Sequence, residues 1–438
     1  MKIKGLRWWV IVLIALAAVI NYIDRQTLAV LWPTISEDLY PDMTIDERTA
    51  VYGSISTIFI LAYAFGQAIF GKIFDWLGTR IGFALSIGFW SLATILHAFA
   101  KGLVSFSIFR IILGVSEAGN WPGAAKGNAE WFPAKQRALA QGIFNAGASV
   151  GGLVSIPVVG TLGALFSWQA VFIIVGVVGL LWLLPWWILV KAPPEKHPWI
   201  TPEEREYILS GRFSNSEQEE APEEVEPYNP STGELLSRKQ SWGVIIASAT
   251  IDPIWWLFIV WIPIYLSQSF GMDLGEIAKY GWVPFVGAIV GALFGGFLSQ
   301  VLMKKAWSVN AVRKFVITMG GLIMLVCLLS LAKPGSPLAA VLIMAGVLFG
   351  FQIAISSVQT LPADFFGGQT VGTLAGFAGM AAKFAAAGVT YLIPAITKGG
   401  NFAPAFIFGA GLAVTALAAI WILCPNISQL KPKGSKQS

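Results

Sequence analysis

The chain carries twelve apolar runs, near residues 8–32, 52–74, 80–100, 103–125, 138–164, 168–191, 243–268, 278–302, 313–332, 337–360, 370–396 and 402–424. Each is close to the length of about 20 residues that an α-helix needs to cross the hydrocarbon of a bilayer. A soluble domain holds about 25% charged residues; here 12% are charged, 56% are apolar, and the mean hydropathy is +0.69. Water is therefore excluded as the main solvent. The pattern predicts an all-α polytopic membrane protein with twelve transmembrane helices. Its 19 tryptophans suit the aromatic belts of the two membrane interfaces.

One long polar segment interrupts the runs, from Ala192 to Gln240, rich in Pro and Glu and with the composition of a solvated linker. It divides the chain into two six-helix bundles, 1–191 and 241–438, joined by a cytoplasmic linker at 192–240. Lys2, Lys4 and Arg7 precede the first run much as in a signal peptide, but the run is too long and lacks a small-x-small cleavage site, so it is expected to stay as the first span. With the N-terminus inside, about twenty basic residues, among them Arg80, Lys126, Arg137, Lys304, Arg313 and Lys431, fall on cytoplasmic segments. Both termini are then cytoplasmic. The halves also align with each other: at a shift of about 234 positions Glu130, Phe132, Ala140 and Gly142 meet Asp364, Phe366, Leu374 and Gly376, as in folds built from a repeated unit. Cys327 and Cys424 stand apart inside apolar runs and signal neither a disulfide framework nor a metal site. His97, near a helix end, and His197, in the linker, read as structural.

A charge in mid-membrane costs about 2.5–3.5 kcal/mol even on the lenient insertion scale. Six such charges remain once loops are set aside: Asp24 and Arg25 in the first helix, Arg110 and Glu117 in the fourth, Asp252 near the start of the seventh, and Lys383 in the eleventh. Asn21, Asp24 and Arg25 share a helix face at i, i+3 and i+4, and Arg110 and Glu117 share one at i and i+7. If these faces meet, Tyr22 and Tyr63 are able to add phenolic hydroxyls. Such a cluster either locks two helices together or binds an anion and a proton. Arginine holds a carboxylate through its planar fork and keeps its proton; Asp24 and Glu117 exchange theirs. A substrate carboxylate that occupies an arginine deprives a neighbouring acid of its counter-ion, and that acid then takes up a proton, which couples the two movements.

The remaining polar positions leave alternatives open. Asp252, before Pro253, is a water-facing cap or a binding residue. Lys383 either snorkels or provides a second anion contact. Gln352, Ser356, Ser357 and Gln359 stripe the tenth helix, to bind hydroxyls or to hold helices together. Gly71, Asp75, Gly78 and Arg80 spell G-x-x-x-D-x-x-G-x-R in the loop between the second and third helices, where an Asp–Arg contact made in one conformation gates rather than binds.

That loop resembles the signature of the major facilitator superfamily, with Trp76 in place of the usual Arg. Three strings, Asn21-Tyr22-Ile23-Asp24-Arg25, Arg110-x-x-x-Gly114-x-x-Glu117 and Glu130-Trp131-Phe132-Pro133-Ala134-Lys135-Gln136-Arg137, are similar to its anion:cation symporter family, and the likeness covers essentially the whole chain. Within that family, Lys2 to Trp8 and Trp199 to Arg212 are most similar to hexuronate (galacturonate and glucuronate) carriers, with aldonate carriers as competitors. The resemblance implies a major facilitator fold and import of a sugar-acid anion by proton symport and alternating access. It implies a monomer in a bacterial cytoplasmic membrane, with no cofactor beyond the proton gradient and no nucleic-acid partner. It places Arg25 on the substrate carboxylate with Tyr22 and Tyr63 beside it, and makes Asp24 and Glu117 proton carriers linked through Arg110. Gln352, Ser356 and Lys383 are left for the polyol end, where Ala375 and Lys383 depart from the family's pattern. No nucleophile motif, metal cluster or phosphate-cradling loop suggests an enzyme or an ATP-driven pump. A non-transporting sugar-acid sensor, or sodium in place of protons, is the competing reading.

Overall fold

The computed structural model describes residues 2–210, 230–366 and 369–430. Among them, twelve helices are long and apolar enough to cross a membrane. They are α1 Leu6–Leu39, α2 Ile45–Phe74, α3 Trp76–His97, α4 Leu103–Trp131, α5 Gly142–Leu165, α6 Trp168–Leu189, α7 Lys239–Phe270, α8 Leu274–Lys304, α9 Val309–Leu331, α10 Pro337–Val358, α11 Thr373–Ile396 and α12 Ala403–Leu423. Each falls on one of the twelve apolar runs. Several outrun the bilayer: the 34 residues of α1, at about 1.5 Å per residue, exceed the ~30 Å hydrocarbon core. The apolar signal marks only the part of a helix that lies in lipid.

Chain contacts divide these helices between two compact units. The first holds α1, α3 to α6, α2 from Ser54 onward, and Met272–Trp282 at the start of α8; the second holds α7, α9 to α12, the rest of α8, and Thr44–Gly53 at the start of α2. In the second unit the Tyr52 hydroxyl donates to the Val260 carbonyl at 2.6 Å.

Two glycines set the geometry around the first unit's polar interior. Gly78 takes φ 72° and ψ 175° within the otherwise helical run Ile45–His97 and breaks it near the start of α3, a conformation nearly confined to glycine that costs other residues about 1–3 kcal/mol. At Gly114 of α4 a Cβ would stand 2.6 Å from the Phe59 carbonyl of α2, so only glycine lets the two backbones touch.

The composition of 192–240 predicts a solvated linker, but the described part before residue 211 is docked. A helix at Pro202–Ser210 buries Glu204 and Ile208. Glu204 accepts from the backbone N–H groups of Gly5 at 2.8 Å and Leu6 at 3.1 Å, and pairs with the Arg7 guanidinium at 2.7 Å. The first N–H groups of α1 have no partner within the helix, and a carboxylate at that positive end satisfies them. An acid that looked like solvating charge is a cap supplied from far along the chain. Ile3 donates its N–H to the Trp199 carbonyl at 2.8 Å, and His197 beside it is wholly buried. Burial holds the His197 imidazole below its ordinary value of 6.5. The folded ring thus binds a proton less readily than the unfolded one, and docking is complete above that value and weakens as pH falls through it. Protection of the 192–210 amides, taken as the exchange rate relative to the intrinsic chemical rate at each pH, is expected to fall as pH drops from about 6.5 to about 5.5, and His197→Gln should remove that pH dependence.

Candidate functional site

Four helices of the first unit converge on the residues that hydrocarbon should not tolerate. The helical repeat of α1 puts Asn21, Asp24 and Arg25 on one buried face. α4 brings Arg110 and Glu117, both buried, and its regular helix breaks off at Glu117 to resume at Asn120. α2 adds Phe59 and Tyr63, one turn apart, and α3 adds Thr94.

Arg25 is the hub. Its guanidinium donates to Glu117 Oε2 from Nε at 3.3 Å and from a terminal nitrogen at 3.1 Å, and that nitrogen also reaches Asn21 Oδ1 at 3.2 Å. The rings of Tyr22, Phe59 and Tyr63 lie 5.2, 5.7 and 5.1 Å from its central carbon. A cation among aromatic faces gains attraction that is strongest where water is excluded, and exclusion is nearly complete: the Arg25 and Glu117 side chains are 6% and 0% exposed. The Phe59 ring also lies 5.4 Å from the Arg110 guanidinium. Asp24 and Glu117 lie within electrostatic reach of both arginines, so the cluster sets two acids against two bases.

Thr94 gives this cluster a proton-sensitive element. Its hydroxyl oxygen is within bonding distance of Asp24 Oδ2 and of the Trp90 carbonyl, the latter at 2.9 Å. A hydroxyl has one proton to give. With Asp24 ionised, Thr94 donates to it. With Asp24 protonated, the acid donates to the Thr94 oxygen, and the Thr94 hydroxyl turns to donate its own hydrogen bond to the Trp90 carbonyl. Either protonation state of Asp24 is thus accommodated without moving a helix.

The motif residues of the α2–α3 turn are placed differently. Gly71 is open around its missing Cβ and Gly78 forms the turn. Arg80 lays its guanidinium 4.4 Å from the Trp187 ring of α6, and its carbonyl accepts the Trp186 indole N–H at 2.9 Å. The Asp75 side chain lies outside the described residues, and with it the expected Asp–Arg contact.

In the second unit Gln352 and Ser356 are half-buried on α10, where the Ser356 hydroxyl bonds back to the Ile353 carbonyl of its own helix at 2.9 Å; Ser357 is buried and Gln359 exposed. Asp252 does not sit near a helix start. α7 begins at Lys239 and carries Asp252 in its middle, because Pro253 and Pro263 are accommodated inside the helix. Nor does Lys383 snorkel: its ammonium is 2.6 Å from Asp252 Oδ2. Sequence reasoning missed this pairing, together with Thr94 and Phe59, since nothing in one helix's periodicity names its partner on another; it also passed over Trp256, whose indole N–H donates to Asp252 Oδ2 one turn away on the same helix. Among the described residues no three His, Cys, Asp or Glu converge to hold a metal ion.

Residues 14–390 match the family model described as Major Facilitator Superfamily. The chain belongs to that superfamily. The hexuronate transporter of Escherichia coli K12 is 32% identical over 97% of this chain and 95% of its own length. The galacturonate transporter of Dickeya chrysanthemi is 34% identical over 74% of this chain and 90% of its own. Among solved structures, an inward-facing bacterial homologue of the human lysosomal transporter Spinster superposes with a TM-score of 0.70, at 19% identity, over 97% of this chain and 96% of that one. That likeness supports the major facilitator fold.

Removing one member of a buried pair strands the other. Arg25→Met is expected to cost about 3–5 kcal/mol in the detergent-solubilised protein, and Arg25→Met with Glu117→Gln to recover most of it, as read by thermal unfolding.

Proposed function

We propose that the protein is a secondary active importer of a sugar-acid anion, a hexuronate such as galacturonate or glucuronate, driven by proton symport and alternating access in a bacterial cytoplasmic membrane with both termini inside. The observation that carries this reading is the Arg25–Glu117 pair, closed off among aromatic rings and set beside Asp24. A guanidinium already held to a carboxylate is ready to exchange that carboxylate for the substrate's. Glu117, on losing its counter-ion inside a low-dielectric site, takes a proton, and Asp24 with Thr94 relays another group's proton or holds its own. Arg110 keeps the cluster's charge balanced while this exchange proceeds. Tyr22 and Tyr63 flank the bound carboxylate. Gln352, Ser356 and Lys383 are the polar contacts of the second unit, and Gly71, Asp75, Gly78 and Arg80 form the gate. The kinship to carriers named for hexuronate and galacturonate supports the substrate class. The proton gradient is the sole energy source, and the working unit is the monomer.

The test is uptake of labelled galacturonate, glucuronate and galactonate into proteoliposomes under an imposed pH gradient. Either hexuronate should accumulate against its gradient, galactonate should lag, and replacing sodium with potassium should change nothing. Glu117→Gln should abolish accumulation but keep exchange of internal for external substrate. Its affinity should lose the pH dependence that coupling imposes, of order 5- to 150-fold. Accumulation by Glu117→Gln equal to that of the native protein, or a requirement for sodium at constant pH, contradicts the mechanism.

A further inference from the structure

The second unit carries a membrane-embedded ion pair that the proton exchange does not use. Asp252 of α7 and Lys383 of α11 meet at 2.6 Å in the middle of their helices, and the same carboxylate oxygen accepts the Trp256 indole N–H at 3.1 Å. The ammonium lies 5.5 Å from the Trp256 ring centroid. Both charged side chains are 18% exposed, against 6% and 0% in the Arg25–Glu117 pair. Mid-span charges are not left against lipid, so this exposed surface belongs to a water-accessible face of the unit. That face continues along α7: Ser248, Asp252 and Trp255, at i, i+4 and i+7, are all half-buried, while Ile251 and Ile254 between them are fully buried.

We propose that the Asp252–Lys383 pair is a charge filter, which accepts the hydroxyls of a sugar acid bearing one carboxylate and refuses a sugar acid bearing two. This rests on the sugar-acid reading given above. A hydroxyl both donates and accepts, so it bonds to Asp252 and Lys383 together and leaves their ion pair in place. A carboxylate only accepts. It reaches Lys383 either by displacing Asp252, which is then stranded without its cation, or by joining Asp252 on the same ammonium, which sets two negative charges against one positive. Asp252 has little freedom to turn away, because the Trp256 indole holds the same oxygen from its own helix. The pair is thus electrically complete before substrate arrives, and a further anion finds no unmatched cation there. A purely structural lock between α7 and α11 makes a different prediction: its loss weakens the protein and slows every substrate alike.

The experiment compares uptake of labelled galacturonate, with one carboxylate, and labelled galactarate, with two, in proteoliposomes of native protein, Asp252→Asn, and Asp252→Asn with Lys383→Gln. The native protein is expected to prefer galacturonate by about 100-fold or more, roughly two tenfold steps of binding discrimination. Asp252→Asn, which leaves Lys383 unmatched, should raise galactarate relative to galacturonate at least about tenfold, and the double variant should lose that gain. Native uptake of galactarate at a rate near that of galacturonate overturns the proposal without recourse to any variant, and so protects the test if Asp252→Asn fails to fold. An unchanged ratio in folded Asp252→Asn overturns it as well. Native protein that moves neither of these acids nor glucuronate overturns the sugar-acid reading itself, whereas galacturonate uptake with an unchanged ratio overturns the filter alone.

Discussion

A guanidinium and a carboxylate 3.1 Å apart, sealed among aromatic rings in the interior of a membrane-spanning unit, can persist only as a pair. Hydrocarbon provides no water to solvate either partner, and each stabilises the other's charged form. Much of the surrounding packing serves that requirement. Gly114 lets α4 press against α2, which brings Phe59 and Tyr63 to the Arg25 guanidinium and Glu117 to its nitrogens. The periodicity of α1 places Asn21 on the same nitrogen and turns Asp24 to Thr94 of α3.

A pair held this way stabilises the fold weakly for what it costs in desolvation. Its value in the proposed cycle is that it can be opened by an exchange of like for like. A substrate carboxylate replaces Glu117 on Arg25, and a proton replaces Arg25 on Glu117, so no bare charge appears in the interior at any step. Asp24, bonded to a threonine able to turn its single proton either way, tolerates both protonation states within one backbone geometry. The pair in the second unit differs in kind. It is partly exposed and is braced by an indole, which suits a group that stays intact while it reads what lies against it.

The spans were legible in the sequence because the bilayer imposes one length and one polarity on every helix that crosses it. The first unit's cluster was legible for a related reason: a charge in an apolar run is conspicuous, and the spacings of Asn21, Asp24 and Arg25, and of Arg110 and Glu117, each lie within a single helix. What crosses between helices was not. Asp252 and Lys383 were each visible alone, but Pro253 suggested a helix start where α7 runs straight through, and the 2.6 Å contact joins residues on different helices. Thr94 and Phe59 carry no charge and so gave no signal, although one bonds Asp24 and the other lies beside both arginines. Glu204 misled for the opposite reason. Its acidic, proline-rich neighbourhood has the composition of a solvated linker, yet it caps α1.

The central claim is that anion binding at Arg25 and proton uptake at Glu117 are one event, and it can be read without transport. Substrate is added to the solubilised protein in weak buffer with a pH indicator. Galacturonate should make the native sample more alkaline as it binds, with a signal that saturates along the binding curve and is abolished in Glu117→Gln. Saturable binding with no change of pH in the native protein, or the same alkaline shift in Glu117→Gln, would contradict the account.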